Sequence, residues 1–342
     1  MKLSIKVEDL RQMMQEALEY RKVDKRVADF MVEDYIEAEL SNQSSHGLSK
    51  FLLLDASLKT KEGPIVIEKE KGNYAKVNGR KNLGHYAGLY CTDKAVELAK
   101  QYGNSIVTLS NASRYSRVKP FARRIAENGY IGIVLNNGGP AAVAPYGSST
   151  PIFGTNPICF SFPSRQKGAY TFDFSTSKKV WAEIRQAMLE KRPLPEGCFY
   201  DKEGKETTDP DMAEAVKAFG GPKGFALCYA IEILTGAFVG CKMGQKVEDE
   251  YDLGFLFIAL SPDMFGDIET FKNEVDELAD EVRTANSLSD RDKVYVPGER
   301  TDSILENNRK QNILYVDEEI INRIKTMRTS LDGGLESNNK IN

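Results

Sequence analysis

Ser105-Ile106-Val107-Thr108-Leu109, then the segment Val118 to Asn128, then Tyr130-Ile131-Gly132-Ile133-Val134-Leu135 follow one another in mid-chain, and their reading decides the fold. The two outer runs are short and rich in β-branched residues, as strands are, and the segment between them reads as a helix. Upstream, Ala95, Val96, Leu98 and Ala99 carry a helical pattern, so helix followed by strand occurs twice in succession. That alternation predicts an α/β domain.

Toward the N-terminus, Leu10, Met13, Met14, Ala17 and Leu18, then Val27, Phe30, Met31, Tyr35 and Ala38, recur at three and four residues. They predict two amphipathic helices separated by a polar break at Arg21 to Asp24. The serine-rich stretch Ser41 to Ser45 reads as a helix exit. Toward the C-terminus, a loop dense in Gly, Pro, Ser and Asn covers Asn136 to Pro157. Strands are expected at Ile158 to Phe162, Ala169 to Phe174 and Leu253 to Leu260, and helices at Phe225 to Val239 and Phe271 to Arg283. The tail from Leu331 onward is rich in Gly, Ser, Asn and Lys and is expected to fray.

At 342 residues the chain has room for about two domains, and its 41% hydrophobic and 28% charged residues suit a soluble globular protein. A net charge of -4 offers no broad positive field, so nucleic acid is not expected as a partner. The opening Met1 to Glu8 is no secretory leader, and no apolar run approaches the length of a membrane span, so a cytoplasmic location is expected. The five cysteines show no CxxC spacing and are odd in number, which suits reduced thiols. No spacing of His and Cys marks a metal site.

Only two histidines occur, and imidazole is the side chain that titrates nearest neutrality. His46 lies in Ser44-Ser45-His46-Gly47-Leu48-Ser49-Lys50, beyond the second helix, and is the first candidate for proton transfer. His85, between a turn and a helix, reads as structural. Polar clusters also mark element ends at Gly154-Thr155-Asn156-Pro157, Asp173-Phe174-Ser175-Thr176-Ser177, Gly220-Gly221-Pro222-Lys223-Gly224 and Pro297-Gly298-Glu299-Arg300. Singly, each has a plain account as turn glycines, a helix cap or a helix-start lysine. Together they suggest a site, and a Gly-Gly-Pro-Lys-Gly loop opening a helix offers N–H groups and a cation to an anion such as pyrophosphate. The chain has no G-x-G-x-x-G after an early strand, no Walker A loop, since Gly224 follows Lys223, and no G-x-S-x-G.

The ordered set S-H-G-L (45–48), A-P-Y-G (144–147), G-T-N-P (154–157), D-F-S-T-S (173–177), T-T-D-P (207–210), G-G-P-K-G-F (220–225), E-I-L-T-G (232–236), L-F-I-A-L (256–260) and P-G-E-R (297–300) resembles the malate/L-lactate dehydrogenase family. This family also includes sulfolactate and ureidoglycolate dehydrogenases, diketogulonate reductase and piperideine-carboxylate reductase. The resemblance runs from about Val27 to Arg300. It implies an NAD- or NADP-dependent oxidoreductase of 2-oxo or cyclic imino acids, in a homodimer, on a non-Rossmann α/β fold with a mixed sheet and flanking helices. It implies a helical terminal domain formed by 1–62 with 301–342, and a cofactor-binding and catalytic core at 63–300 with a subdomain boundary near 140–155.

By the same resemblance, His46 is the proton donor and Asp173 its partner, while the cofactor contacts fall on Thr155, Asn156, Asp173, Phe174, Ser175, Pro222, Lys223, Gly298, Glu299 and Arg300. A carboxylate behind an imidazole would fix its tautomer and raise its pKa. Two departures stand out. Lys50 holds the place where the family usually has an arginine for the substrate carboxylate, and loses the bidentate fork. In the segment Ser110 to Ser116, Arg114 takes the place of a histidine that many members carry as S-N-H-F-G, and arginine clamps anions without shuttling protons. Lys50 and Arg114 are therefore the expected substrate-binding residues. The alternative reading is a catalytically silent cofactor-binding or regulatory homologue.

Overall fold

A computed structural model describes residues 1–288 and 293–331; the tail expected to fray lies, beyond Leu331, outside them. The chain starts with β1 (Lys2–Lys6), α1 (Val7–Tyr20) and α2 (Lys25–Leu40), whose first turn is capped by Asp24 accepting from Arg26 N at 3.0 Å and Val27 N at 3.2 Å. A 3-10 turn at Ser44–His46, α3 (Leu48–Phe51) and α4 (Leu54–Lys59) lead to β2 (Val66–Lys71), β3 (Tyr74–Asn78), α5 (Gly84–Tyr102) and β4 (Asn104–Ser110). Next come α6 (Lys119–Glu127), β5 (Ile131–Asn136), β6 (Val143–Ala144), β7 (Ile158–Ser164), β8 (Gly168–Phe174) and α7 (Ala182–Glu190). The chain continues through β9 (Phe199–Tyr200), β10 (Glu206–Thr207), β11 (Ala215–Lys217) and α8 (Pro222–Thr235). It closes with β12 (Gly254–Leu260), α9 (Ile268–Thr284), α10 (Glu299–Gln311), β13 (Ile313–Asp317) and α11 (Glu318–Met327).

The main sheet runs β2-β3-β4-β12-β5-β7-β8, and only the β3–β4 neighbours are parallel. The β4–α6–β5 unit is thus split by β12, which pairs antiparallel with both strands. A central strand buried on both faces needs an unbroken apolar run, and Gly254-Phe-Leu-Phe-Ile-Ala-Leu260 supplies one. Its two-residue period sends Phe255 and Phe257 into the core shared with α5 and α6, and Leu256 and Ile258 into the layer under α8. A smaller sheet, β10-β9-β11-β6, packs a separate core around Phe199 and Val216.

The terminal segments share a further core, in which α1 and α2 meet Leu305, Leu314, Val316, Ile321, Ile324 and Met327. These segments are not wholly helical, because β1 pairs antiparallel with β13. The helix expected at Phe225 to Val239 starts earlier, with Pro222 at its first position, and stops at Thr235 before Gly236. No helix among the described residues is long and apolar enough to cross a membrane.

Candidate active site

The His46 turn is built from the end of α2. Glu39 projects over it, accepting from Ser44 Oγ at 2.9 Å and from Leu48 N at 2.8 Å. A Cβ on residue 47 would lie 2.1 Å from Glu39 Oε1, so the Gly of S-H-G keeps this carboxyl group in place. Burial raises the Glu39 pKa, against the Leu48 and Ser44 bonds. His46 N donates to Gln43 O at 2.8 Å, Ser116 Oγ donates to His46 O, and Arg117 Nη1 donates to Gln43 Oε1 at 3.1 Å.

The His46 ring is half-buried, and burial lowers its pKa below 6.5; Lys50 and Arg117 push the same way, while Asp173 and Asp34 oppose. The structure therefore brings Asp173, 127 positions distant in sequence, into the electrostatic surroundings of the imidazole, although no hydrogen bond joins them among the described residues. The expected upward pull of the carboxylate is present. The net direction is nevertheless downward, because desolvation outweighs it.

Asp173 lies next to the end of β8, opposite Cys159 of β7. The other clusters gather around this strand end. Thr176 N donates to Thr155 O at 2.9 Å and Phe219 N to Thr176 O at 3.0 Å, and the Phe174 and Phe219 rings meet at 5.8 Å between centroids. Gly298 adopts φ +90° with its Cα against β8, where a Cβ would lie 2.4 Å from Thr171 O.

Within this assembly some side chains are already engaged. Asn156 is fully buried; its Nδ2 donates to Glu232 Oε2 at 2.7 Å and Cys228 O at 3.1 Å, and its Oδ1 accepts from Gly138 N at 3.1 Å. Glu299 is also buried, paired with Arg283 Nε at 3.0 Å and accepting from Val296 N at 3.1 Å. Both shape their loops from within. By contrast Phe174, Pro222, Lys223 and Arg300 are exposed, and Thr155 and Ser175 are half-exposed.

Lys50 and Arg114 supply positive charge on the His46 side. Burial lowers the Lys50 pKa, as do the neighbouring charges of Arg114 and Arg185, while Glu250 opposes them. The Arg114 guanidinium lies over Gly139, 3.6 Å from where a Cβ would stand, and makes no ion pair among the described residues. Glu250 Oε2 accepts from Arg114 N at 3.0 Å. Neither Arg185 nor Glu250 was singled out by the sequence, since each is a lone charge in an otherwise ordinary polar stretch.

Beneath the His46 turn lies a buried ionic cluster. Asp34 Oδ1 accepts from Arg117 Nε at 2.9 Å and Nη2 at 2.7 Å, and Asp34 Oδ2 stands 2.9 Å from His85 Nε2. Glu37 pairs with Arg123 at 2.7 Å. Burial pushes the Asp34 carboxyl upward, but Arg117 and His85 together hold its pKa below the ordinary value. His85 is thus enclosed as a partner of Asp34 and does not face the site. The sequence did carry a signal for this cluster: Asp34 falls three residues after Met31, on the apolar face of α2.

The sequence profile of the malate/L-lactate dehydrogenase family matches residues 5–325. The chain belongs to the malate/L-lactate dehydrogenase family. A relative from Methanothermus fervidus, malate/(S)-sulfolactate dehydrogenase, is 33% identical over 309 residues, covering 87% of this chain and 89% of the relative. L-sulfolactate dehydrogenase from Methanocaldococcus jannaschii is 31% identical over 97% of this chain and 98% of its own. The solved structure of sulfolactate dehydrogenase from that organism superposes with a TM-score of 0.85, covering 96% of this chain and 97% of that one. Malate dehydrogenase from Entamoeba histolytica, at 24% identity and TM-score 0.87 over 96% of this chain and 97% of its own, shares the fold.

As a member of this family the chain is a nicotinamide-dependent oxidoreductase, and the residues around β8 fit such a cofactor. The N–H groups of Lys223 and Gly224 in the first turn of α8 lack intrahelical acceptors, and Lys223 and Arg300 are exposed cations in two of the polar clusters. The close backbone approach at Gly298 leaves no side chain between that loop and β8.

Proposed function

We propose that this dehydrogenase interconverts a small 2-oxo acid and its 2-hydroxy acid, or reduces a cyclic imino acid, using NAD or NADP. The observation that carries this reading is that Asp173 bears electrostatically on His46 from the strand end around which the four polar clusters gather. When bound, a reduced nicotinamide would supply hydride to the 2-carbon, so that negative charge would develop on the 2-oxygen. His46 donates a proton to that oxygen in reduction and accepts it in oxidation. Asp173 stabilises the charged imidazole, while Lys50 and Arg114 hold the substrate carboxylate or a second anionic arm.

Lys223, Arg300, Pro222, Ser175, Phe174 and Thr155 are assigned to the cofactor, with Asn156 and Glu299 holding its loops in shape. The relatives named for malate and sulfolactate, and a Delta(1)-pyrroline-2-carboxylate reductase from Agrobacterium fabrum that is 32% identical over 219 residues, define the acids to test. We further assign the protein to the cytoplasm as a homodimer with residues 1–62 and 301–342 forming a terminal domain. Free cysteines, the exposed apolar face Tyr229, Ile233, Leu234 and Phe238, and the shared terminal core support these assignments.

The test follows nicotinamide absorbance with NADH and NADPH against oxaloacetate, sulfopyruvate, pyruvate and pyrroline-2-carboxylate. Turnover of at least one is expected, and Arg114→Ala should raise its KM about tenfold or more through loss of a charged contact. Cofactor binding without turnover of every acid would favour the silent homologue. Unchanged Michaelis constants for substrate and cofactor in Arg114→Ala would remove that residue from the site.

A further inference from the structure

The segment between β4 and α6 alternates inward and outward. Tyr115 is buried against the rings of Phe121 and Phe255, at 4.5 and 4.8 Å between centroids, and Arg117 is buried on Asp34. Ser113 closes the start of the segment, its N donating to Asn82 O at 3.1 Å and its Oγ accepting from Gly84 N at 2.9 Å. Between these anchors Arg114 and Ser116 turn the other way, the first over Gly139 and the second onto the His46 carbonyl. One rigid stretch therefore carries both a cation for the substrate and a tether for the acid/base turn.

We propose that Ser116 is a positioning residue for proton transfer: its hydroxyl fixes the His46 main chain so that the imidazole meets the 2-oxygen of a substrate anchored by Arg114. This rests on the reading of His46 as acid/base. The His46 turn is otherwise held by Glu39 on Ser44 and Leu48, by Ser49 on the Ser44 carbonyl and by Arg117 on Gln43. None of those contacts touches His46 itself. Among the described residues Ser116 is the side chain that hydrogen-bonds to His46, and removing its hydroxyl frees the carbonyl while leaving the turn's remaining bonds in place. A sub-ångström to ångström loosening at a proton donor lowers the chemical step without weakening binding.

The test compares Ser116→Ala and Ser116→Thr in the full chain, with the most active acid of the panel and its preferred cofactor. Ser116→Ala is expected to lower kcat about tenfold to a hundredfold. KM should stay within about twofold, since the ground-state contacts survive. The solvent isotope effect on kcat should rise, thermal unfolding should stay at the wild-type temperature, and Ser116→Thr, which keeps the hydroxyl, should recover most of the loss. An unchanged kcat in Ser116→Ala would overturn the inference. So would a raised KM at constant kcat, or equal losses in both variants with lowered thermal stability. His46→Ala run in parallel separates the causes: normal turnover there defeats the acid/base reading, whereas an inactive His46→Ala beside a wild-type-like Ser116→Ala defeats only the positioning role.

Discussion

Burial and Asp173 pull the His46 imidazole in opposite directions, and burial prevails, so the pKa lies below 6.5 and the ring is mostly neutral at pH 7. A neutral ring accepts a proton from a 2-hydroxy acid; a protonated ring donates one to a 2-oxo acid. Oxidation should therefore rise with pH to a plateau with its midpoint below 6.5, and reduction should fall across the same range. Because Asp173 raises the pKa, Asp173→Asn should lower it further. The oxidation midpoint then moves to more acid pH, and reduction at neutral pH drops about tenfold for each pH unit the midpoint travels. Rate profiles of kcat/KM against pH check this, and a midpoint that stays or moves alkaline would contradict it. His46 and Gly47 were legible because a rare imidazole beside a glycine is a local signal. Glu39 was not, because its contacts depend on how the chain turns back after α2, and Glu250 and Arg185 were not, because their neighbours lie far along the chain.

The helix α2 serves two purposes, packing the terminal core with Val27, Met31 and Tyr35 while presenting Asp34 and Glu37 to arginines of the 117–123 segment. Removing one partner of a buried pair leaves the other charge without compensation. Asp34→Ala should accordingly cost about 3–5 kcal/mol, by stranding Arg117 in a buried site. Urea unfolding measures this directly, and a loss below about 1 kcal/mol, the range of surface pairs, would show the cluster to be well solvated. Among elements, α1, α2 and β12 were legible from strong periodicity or an unbroken apolar run. The insertion of β12 between β4 and β5 was not, since strand order is fixed by long-range pairing rather than local pattern. The strands β9, β10 and β11 span two or three residues, too short for any period to show, and the outward-facing half of β1 and β13 is polar or exposed.

At the scale of the whole molecule, the candidate site draws on separate parts of the fold. His46 and Lys50 come from the N-terminal segment, Arg114 from the main sheet's connection to α6, Asp173 from β8, and Lys223 from the start of α8 beside the small sheet. The family relation was legible because its motifs occur in a fixed order, most of them at element ends. The absence of G-x-G-x-x-G is consistent with a sheet that is largely antiparallel and whose helix-start site comes late, at Pro222. Every role assigned to these residues depends on His46 moving the proton while the β8 end holds the cofactor, so the two should separate on substitution. The decisive measurement pairs NAD(P)H fluorescence titration with steady-state turnover in His46→Ala. Cofactor affinity should match the wild type while turnover falls about a hundredfold to ten-thousandfold, the contribution of a general acid; turnover at the wild-type rate would contradict the assignment.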